Sequence, residues 1–190
     1  MRKWLFLLCL LLFADAWLLG ELEERTSLDT LREAGIPEES FQKAGISKEE
    51  SLLYIGFWKD LEYFPLAFPC EGEEKFSFEN GWHDRRSFGG ERFHEGCDIF
   101  GNRRLTDYYP VVSITDGQVE QKGWLPLGGW RIGVRSPGGG YFYYAHLSSY
   151  GRDFQEGDQV KAGELLGFLG DSGYGPEGTT GKFPPHLHLG

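Results

Sequence analysis

The sequence predicts a mainly β protein, in which an antiparallel β-sheet domain follows a short helical segment at the N-terminus. Two observations predict the sheet. Apolar and polar residues alternate in several short runs, and glycine-rich turns separate those runs. The chain has 190 residues, of which 28 are glycine and 16% are aromatic. This length suits one main domain with a small appendage.

The N-terminus has the three parts of an export signal. Residues 1–3 are basic, residues 4–13 form an unbroken apolar run, and Ala14-Asp15-Ala16 has the small-x-small form of a cleavage site. The apolar run is shorter than the about 20 residues that span a bilayer. We therefore expect residues 1–16 to be a signal peptide. The alternative is an uncleaved signal anchor, which would be the only membrane contact.

Residues 17–62 predict a helical spacer. Gly35 followed by Pro37 has the order of a helix end and the first turn of the next helix. Ser47-Lys48-Glu49-Glu50 has the spacing of a capping box. This segment is too short for an enzymatic domain, so residues 63–190 are predicted to form the main domain.

The strands of that domain are predicted from alternation and turn residues. The predicted strands are residues 110–115, 118–120, 130–135 and 141–147. Asp116-Gly117 is a turn pair, and residues 136–140 are too rich in glycine and proline for anything but a turn. Residues 157–163 predict another hairpin. Short strands joined by tight turns favour antiparallel pairing.

Cys70 and Cys97 would remain after signal cleavage. In an exported protein they could form a disulfide, and two separate small apolar residues are an equal alternative. Their spacing does not match a structural zinc site.

Histidine is scarce, and its placement predicts a metal centre. The chain has five histidines, and four of them fall in three motifs: His94 four residues before Asp98, the isolated His146, and His186-Leu187-His188. Strand residues at i, i+2 and i+4 share a face, so the members of each motif would point together on a strand. Zinc takes imidazole and carboxylate ligands, and a catalytic site keeps one position open. Two imidazoles would then be left for proton transfer.

Because side chains alternate along the predicted 141–147 strand, Tyr144 and His146 share one face. We therefore expect Tyr144 to line the cleft that His146 serves and to contact substrate. The glycine loop with Asp171 and Tyr174 is a second candidate wall. His83 matches no motif and is predicted to be a surface or structural histidine.

In this order, the motifs resemble the lysostaphin-type (LytM-like) zinc metalloendopeptidases, over roughly residues 64–190. The resemblance implies a lysostaphin-like, barrel-sandwich-hybrid-like fold with a β groove. It also implies that His94, Asp98 and His188 hold Zn²⁺. His146 and His186 would flank the water that zinc activates, as general base and transition-state stabiliser, in either order.

The implied function is that of an exported zinc metalloendopeptidase that hydrolyses peptide bonds of peptidoglycan, secreted or held in the bacterial cell envelope. Its substrates would be peptidoglycan peptides, cut in the stem or in a glycyl cross-bridge. Nucleic acid is not an expected partner, because the net charge is −10 and phosphate binding needs clustered lysine and arginine.

Two other functions fit parts of the sequence. A catalytically inactive relative would bind peptidoglycan or activate another hydrolase. Such a relative should lack a ligand, and none is missing. Residues 157–164 resemble the hairpins of lipoyl and biotinyl carrier domains, but a carrier needs no histidine cluster. Because the family resemblance implies further strand after the terminal motif and the chain stops at Gly190, we also expect a C-terminal truncation of the domain.

Overall fold

The computed structural model describes residues 60–61, 65–66, 76–79 and 81–190. Within these residues the secondary structure consists of strands, and every strand pairing is antiparallel. The strands are β1 (Phe76–Glu79), β2 (Arg85–Arg86), β3 (Arg92–Phe93), β4 (Cys97–Gly101), β5 (Pro110–Val112), β6 (Gly117–Leu125), β7 (Gly129–Arg135), β8 (Tyr141–Tyr150), β9 (Gln159–Val160), β10 (Leu165–Leu169) and β11 (Leu187–Leu189). The predicted mainly β, antiparallel fold is confirmed.

The hairpin between β7 and β8 forms where the sequence predicted it. Ser136 closes the turn through two hydrogen bonds with Gly140, one from its backbone N–H at 2.8 Å and one to its hydroxyl at 3.0 Å. The predicted 157–163 segment contains β9, which pairs with the start of β6. Of these two pairings, only the β7–β8 pairing is short-range and follows from its turn residues; β9 instead pairs with a strand about 40 residues earlier in the chain, so the predicted hairpin at 157–163 is not formed within that segment.

Several predictions concern residues outside the described ranges. The signal peptide at 1–16 and nearly all of the helical spacer at 17–62 lie there, and so does Cys70, so its pairing with Cys97 stays a prediction. In the part of the chain that the structure describes, no helix is long and apolar enough to cross a bilayer.

The last strand of the chain lies in the middle of the main sheet. The strand order is β1-β4-β11-β8-β7-β6-β9, and β10 joins β8 to β5. In β11, His188 lies opposite Asp98 of β4 on one side and opposite Ala145 of β8 on the other. The topology therefore brings three distant motifs into adjacent strands.

One face of this sheet packs on the core and the other face carries the polar motifs. Leu187 lies opposite Ile99, and both side chains are fully buried. Because side chains alternate along a strand, His188 and Asp98 project from the opposite face. Burial of Leu187 thus fixes the orientation of its histidine neighbour.

We predict that Leu187→Ala lowers the free energy of unfolding by about 2–5 kcal/mol, because it leaves a cavity in the core. The matched control is Leu105→Ala, at a side chain that is 47% exposed, which should change stability by at most about 0.5 kcal/mol. Urea denaturation with a metal chelator present measures both. Equal effects of the two substitutions would contradict the proposed anchoring of β11.

Candidate metal centre

Three donor atoms from the predicted ligands meet at one point on the polar face of the sheet. His94 Nε2 lies 3.0 Å from Asp98 Oδ1 and 2.9 Å from His188 Nδ1, and His188 Nδ1 lies 3.0 Å from Asp98 Oδ1. The three residues form a group that could hold a metal ion. All three are largely or fully buried.

His94 reaches this point from a segment between β3 and β4, not from a strand as predicted. Its backbone N–H donates to Asp84 at 2.9 Å, and its carbonyl accepts from His83 at 2.8 Å. Its Nδ1 lies 2.9 Å from the carbonyl oxygen of Gly81. A carbonyl can only accept, so Nδ1 carries a proton, and Nε2 is the ring nitrogen that faces the cluster.

Asp98 is held at both carboxylate oxygens. Oδ1 belongs to the donor triangle, and Oδ2 lies 3.4 Å from the guanidinium of Arg86. Arg86 is on β2, in a separate two-stranded sheet. Its place beside Asp98 has no signal in the sequence, because the contact depends on how that small sheet packs against the large one.

His188 is packed against the backbone of the first motif. A methyl group at position 96 would lie 2.6 Å from both Cε1 and Nε2 of His188 and equally close to the carbonyl oxygen of Leu189. No side chain can therefore occupy position 96 while His188 keeps its place. Gly96 lies in the middle of the His94 to Asp98 motif, so this motif has a glycine where any side chain would displace His188.

Burial and hydrogen bonding set the charges of the cluster. Burial raises the pKa of the Asp98 carboxyl, but the hydrogen bonds with His188 and His94 outweigh it and hold the pKa far below its usual range. Burial lowers the pKa of His188 and His186. The carboxylate is therefore ionised and these imidazoles are neutral near pH 7, which is the protonation state that metal ligation requires.

His146 and His186 lie beside the donor triangle. Their rings are 4.7 Å apart, and His186 Nε2 is 3.6 Å from Asp98 Oδ1. Nδ1 of each ring lies 2.8 Å from a backbone carbonyl, of Ser172 for His146 and of Pro184 for His186. Both Nδ1 atoms therefore donate, and both Nε2 atoms are free to accept a proton. Burial lowers the pKa of His146 to about 3.

Aromatic side chains cover the two histidines. Phe183 lies 4.5 Å from the His146 ring and 5.1 Å from the His186 ring, between ring centroids. Tyr174 packs on Phe183 at 4.7 Å, and Phe88 stacks on Tyr174 at 4.4 Å. The predicted glycine-loop wall is thus present at Tyr174. Phe183 was not predicted, because it lies in a loop whose path the sequence does not specify.

Tyr144 does not line the cleft, so its predicted contact with substrate is wrong. Its side chain is fully buried in the core, where its hydroxyl accepts a hydrogen bond from the backbone of Ile114 at 3.0 Å. The prediction assumed strict alternation up to His146. A β-bulge breaks that alternation, because two residues, Ala145 and His146, lie opposite one on β7, and His146 has a φ of 63°.

Tyr143 is the tyrosine of β8 that borders the cluster. Its ring centroid is 6.0 Å from that of His188. Its backbone exchanges two hydrogen bonds with Gly190, at 2.8 and 2.9 Å, so the end of β11 is paired. His83, by contrast, is exposed and stacks on Phe93 at 4.1 Å, as expected for a histidine outside the site.

The donor triangle fits a zinc ion. Bonds from zinc to imidazole nitrogen and carboxylate oxygen are about 2.0–2.2 Å long, so one ion can contact three corners that lie 2.9–3.0 Å apart. Three protein ligands leave a position open for water or substrate.

The protein is thus an antiparallel β-sheet domain with a His-Asp-His group on one face that could hold a metal ion. The model of peptidase family M23 matches residues 92–190, more than half of the chain. The chain belongs to this family, and the resemblance to LytM-like and lysostaphin-type endopeptidases is confirmed.

Relatives and a solved structure support this assignment. The L-Ala–D-Glu endopeptidase of Bacillus subtilis (strain 168) is 48% identical over 149 residues, which are 78% of this chain and 44% of that protein. Glycyl-glycine endopeptidase ALE-1 of Staphylococcus capitis is 37% identical over 98 residues, 50% of this chain and 24% of that protein. The chain thus spans less than half the length of either relative.

A crystal structure from Ruminococcus gnavus, assigned there as a glycyl-glycine endopeptidase lytM, has the same fold. It is 48% identical with a TM-score of 0.66, over 80% of this chain and 62% of that one. The mainly β architecture is therefore that of an M23 peptidase domain.

We predict that Gly96→Ala weakens zinc binding by about 10- to 100-fold, the usual effect of disturbing the support of a metal ligand. The added methyl group must displace the His188 ring. Titration of zinc against a competing chelator measures the affinity, and Glu95→Ala, at the exposed neighbouring residue, is the control. Equal zinc affinity of the two variants would show that Gly96 does not position His188.

Proposed function

We propose that this chain is a zinc metalloendopeptidase that hydrolyses a peptide bond of peptidoglycan outside the cytoplasm. The donor triangle of His94, Asp98 and His188 carries this proposal, because it offers three ligands, of the types that zinc takes, at mutual distances of 2.9–3.0 Å. These three residues would hold the ion. Bound there, zinc would lower the pKa of a coordinated water and polarise the scissile carbonyl.

His146 and His186 are proposed to move the proton. Each ring donates through Nδ1 to a backbone carbonyl, which fixes its tautomer and presents Nε2 as the acceptor. One neutral imidazole accepts a proton from the attacking water at Nε2. The resulting N–H can then donate to the developing oxyanion or deliver the proton to the leaving amine. The ring separation of 4.7 Å lets both rings serve one reacting group.

The aromatic residues over these histidines exclude water from the reacting groups. Phe183 covers both rings at 4.5 and 5.1 Å. In such an environment the hydrogen bonds to a developing charge are stronger than in bulk water. On another side of the cluster lies β8, whose Tyr143 ring is 6.0 Å from the His188 ring, and an extended peptide is proposed to lie along this strand.

The substrate class follows from the named relatives. One cleaves an L-Ala–D-Glu bond and the other a glycyl-glycine bond, which are bonds of peptidoglycan stem peptides and cross-bridges respectively. A substrate outside the cytoplasm agrees with the export signal predicted at residues 1–16. The inactive, peptidoglycan-binding alternative finds no support in the cluster, since every predicted ligand is present and reaches it.

We predict that His146→Asn keeps zinc but lowers cleavage of purified cell walls by about 10²- to 10⁴-fold, the typical contribution of a general acid or base. Asparagine tolerates the left-handed φ of 63° at this position, so the fold should persist. His94→Ala should lose the zinc itself. The matched control is His83→Asn, at a residue outside the cluster with a φ of 64°, and it should keep both zinc and activity.

Mass spectrometry of the protein measures its zinc content. Mass spectrometry of the released muropeptides measures cleavage of the cell walls. A His146→Asn variant that digests cell walls at the wild-type rate would refute the proposed roles. Wild-type protein that holds zinc yet releases no amine from any peptidoglycan would favour the binding alternative.

A further inference from the structure

Arg131 is a buried arginine on the same face of the sheet as the metal centre. Its neighbour Ile132 is fully buried in the core and lies opposite Tyr144. Alternation along β7 therefore turns Arg131 and Gly133 to the other face. Gly133 lies opposite Tyr143, the tyrosine whose ring contacts His188. The face that carries the metal centre thus continues across β8 to Arg131.

The guanidinium of Arg131 has no counter-charge in the part of the chain that the structure describes. The residue is only 9% exposed, and its Nε and Nη1 are buried without a hydrogen-bond partner there. Four residues along the same strand, Arg135 forms two hydrogen bonds with Glu120, at 2.6 and 2.8 Å. Because a buried, unpaired cation is costly, a fold that retains one points to a function for it.

The groups around Arg131 cannot neutralise it. The Tyr143 phenol lies near the guanidinium, on the same face of the sheet. The Tyr141 phenol lies over Gly133, where its hydroxyl would be 2.0 Å from an added methyl group. Both phenols are neutral at physiological pH, so the positive charge of Arg131 persists on this face.

We propose that Arg131 is the carboxylate-binding residue of a substrate subsite, and that the chain acts on an acidic peptide in preference to a glycyl one. This rests on the proposed peptidase function. A guanidinium binds a carboxylate through two parallel hydrogen bonds. Nη2, which is not among the buried, unpartnered nitrogens of Arg131, forms such a pair with Nε, as it does where Arg135 binds Glu120. A polyglycine segment has no side-chain carboxylate to offer.

The distance between the metal centre and Arg131 suits a contact with the substrate residue next to the scissile bond. Two strand spacings separate His188 on β11 from Arg131 on β7, or about 10 Å between backbones. An extended peptide advances about 3.3 Å per residue, and the arginine side chain covers part of the gap. In the stem peptide, the free α-carboxylate of a γ-linked D-glutamate provides an anion at that distance.

The test compares two synthetic stem peptides, L-Ala-γ-D-Glu-L-Lys-D-Ala and the same peptide with the D-Glu α-carboxylate converted to a carboxamide. The zinc-loaded wild type should hydrolyse the acidic peptide with a kcat/KM about 10- to 100-fold higher, as expected for a charged hydrogen bond. Arg131→Gln should remove this preference by slowing only the acidic peptide. Arg131→Lys should keep part of it, and the control Arg135→Gln should keep all of it.

Equal hydrolysis of both peptides by the wild type would overturn the subsite, whether or not Arg131→Gln folds. Equal slowing of both peptides by a folded Arg131→Gln would also overturn it. If the zinc-loaded wild type cleaves neither stem peptide nor pentaglycine, the proposed peptidase function fails. In that case, calorimetric measurement of the affinity for the two stem peptides tests whether Arg131 binds the carboxylate. Tighter binding of the acidic peptide supports it, and equal binding overturns it.

Discussion

The pairing of β11 between β4 and β8 is the constraint on which the site depends. It places His188 directly opposite Asp98, with Nδ1 and Oδ1 at 3.0 Å. Leu187, one residue earlier, is fully buried on the opposite face, so the core holds the strand in register. A slip of one residue would turn His188 into the core and expose the leucine. Hydrophobic burial therefore determines where the metal ligand lies.

Around that pairing, backbone groups rather than side chains orient the imidazoles. The rings of His94, His146 and His186 each donate through Nδ1 to a main-chain carbonyl, at 2.8 or 2.9 Å. Main-chain carbonyls are fixed by the fold, so each ring has one tautomer and one free nitrogen. The cluster is thus arranged before any ion or substrate binds, and little reorganisation remains for the reaction.

Short-range features were predictable from the sequence, and features set by packing were not. Turn residues located the β7–β8 hairpin, and the spacing of His186 and His188 indicated the strand that carries His188, β11. The prediction that Tyr144 contacts substrate was wrong, because the β-bulge at His146 shifts the alternation by one residue. The sequence does not indicate that His146 has a φ of 63°. Arg86 and Arg131 were missed for a related reason, since their positions depend on strands that are distant in the chain.

The account requires one ion within bonding distance of all three proposed ligands. Crystals of the zinc-loaded protein, measured on both sides of the zinc absorption edge, would locate the metal directly. We predict a single anomalous peak about 2.0–2.2 Å from His94 Nε2, Asp98 Oδ1 and His188 Nδ1, with an open coordination position. A peak elsewhere, or a fourth protein ligand closing the shell, would contradict the account.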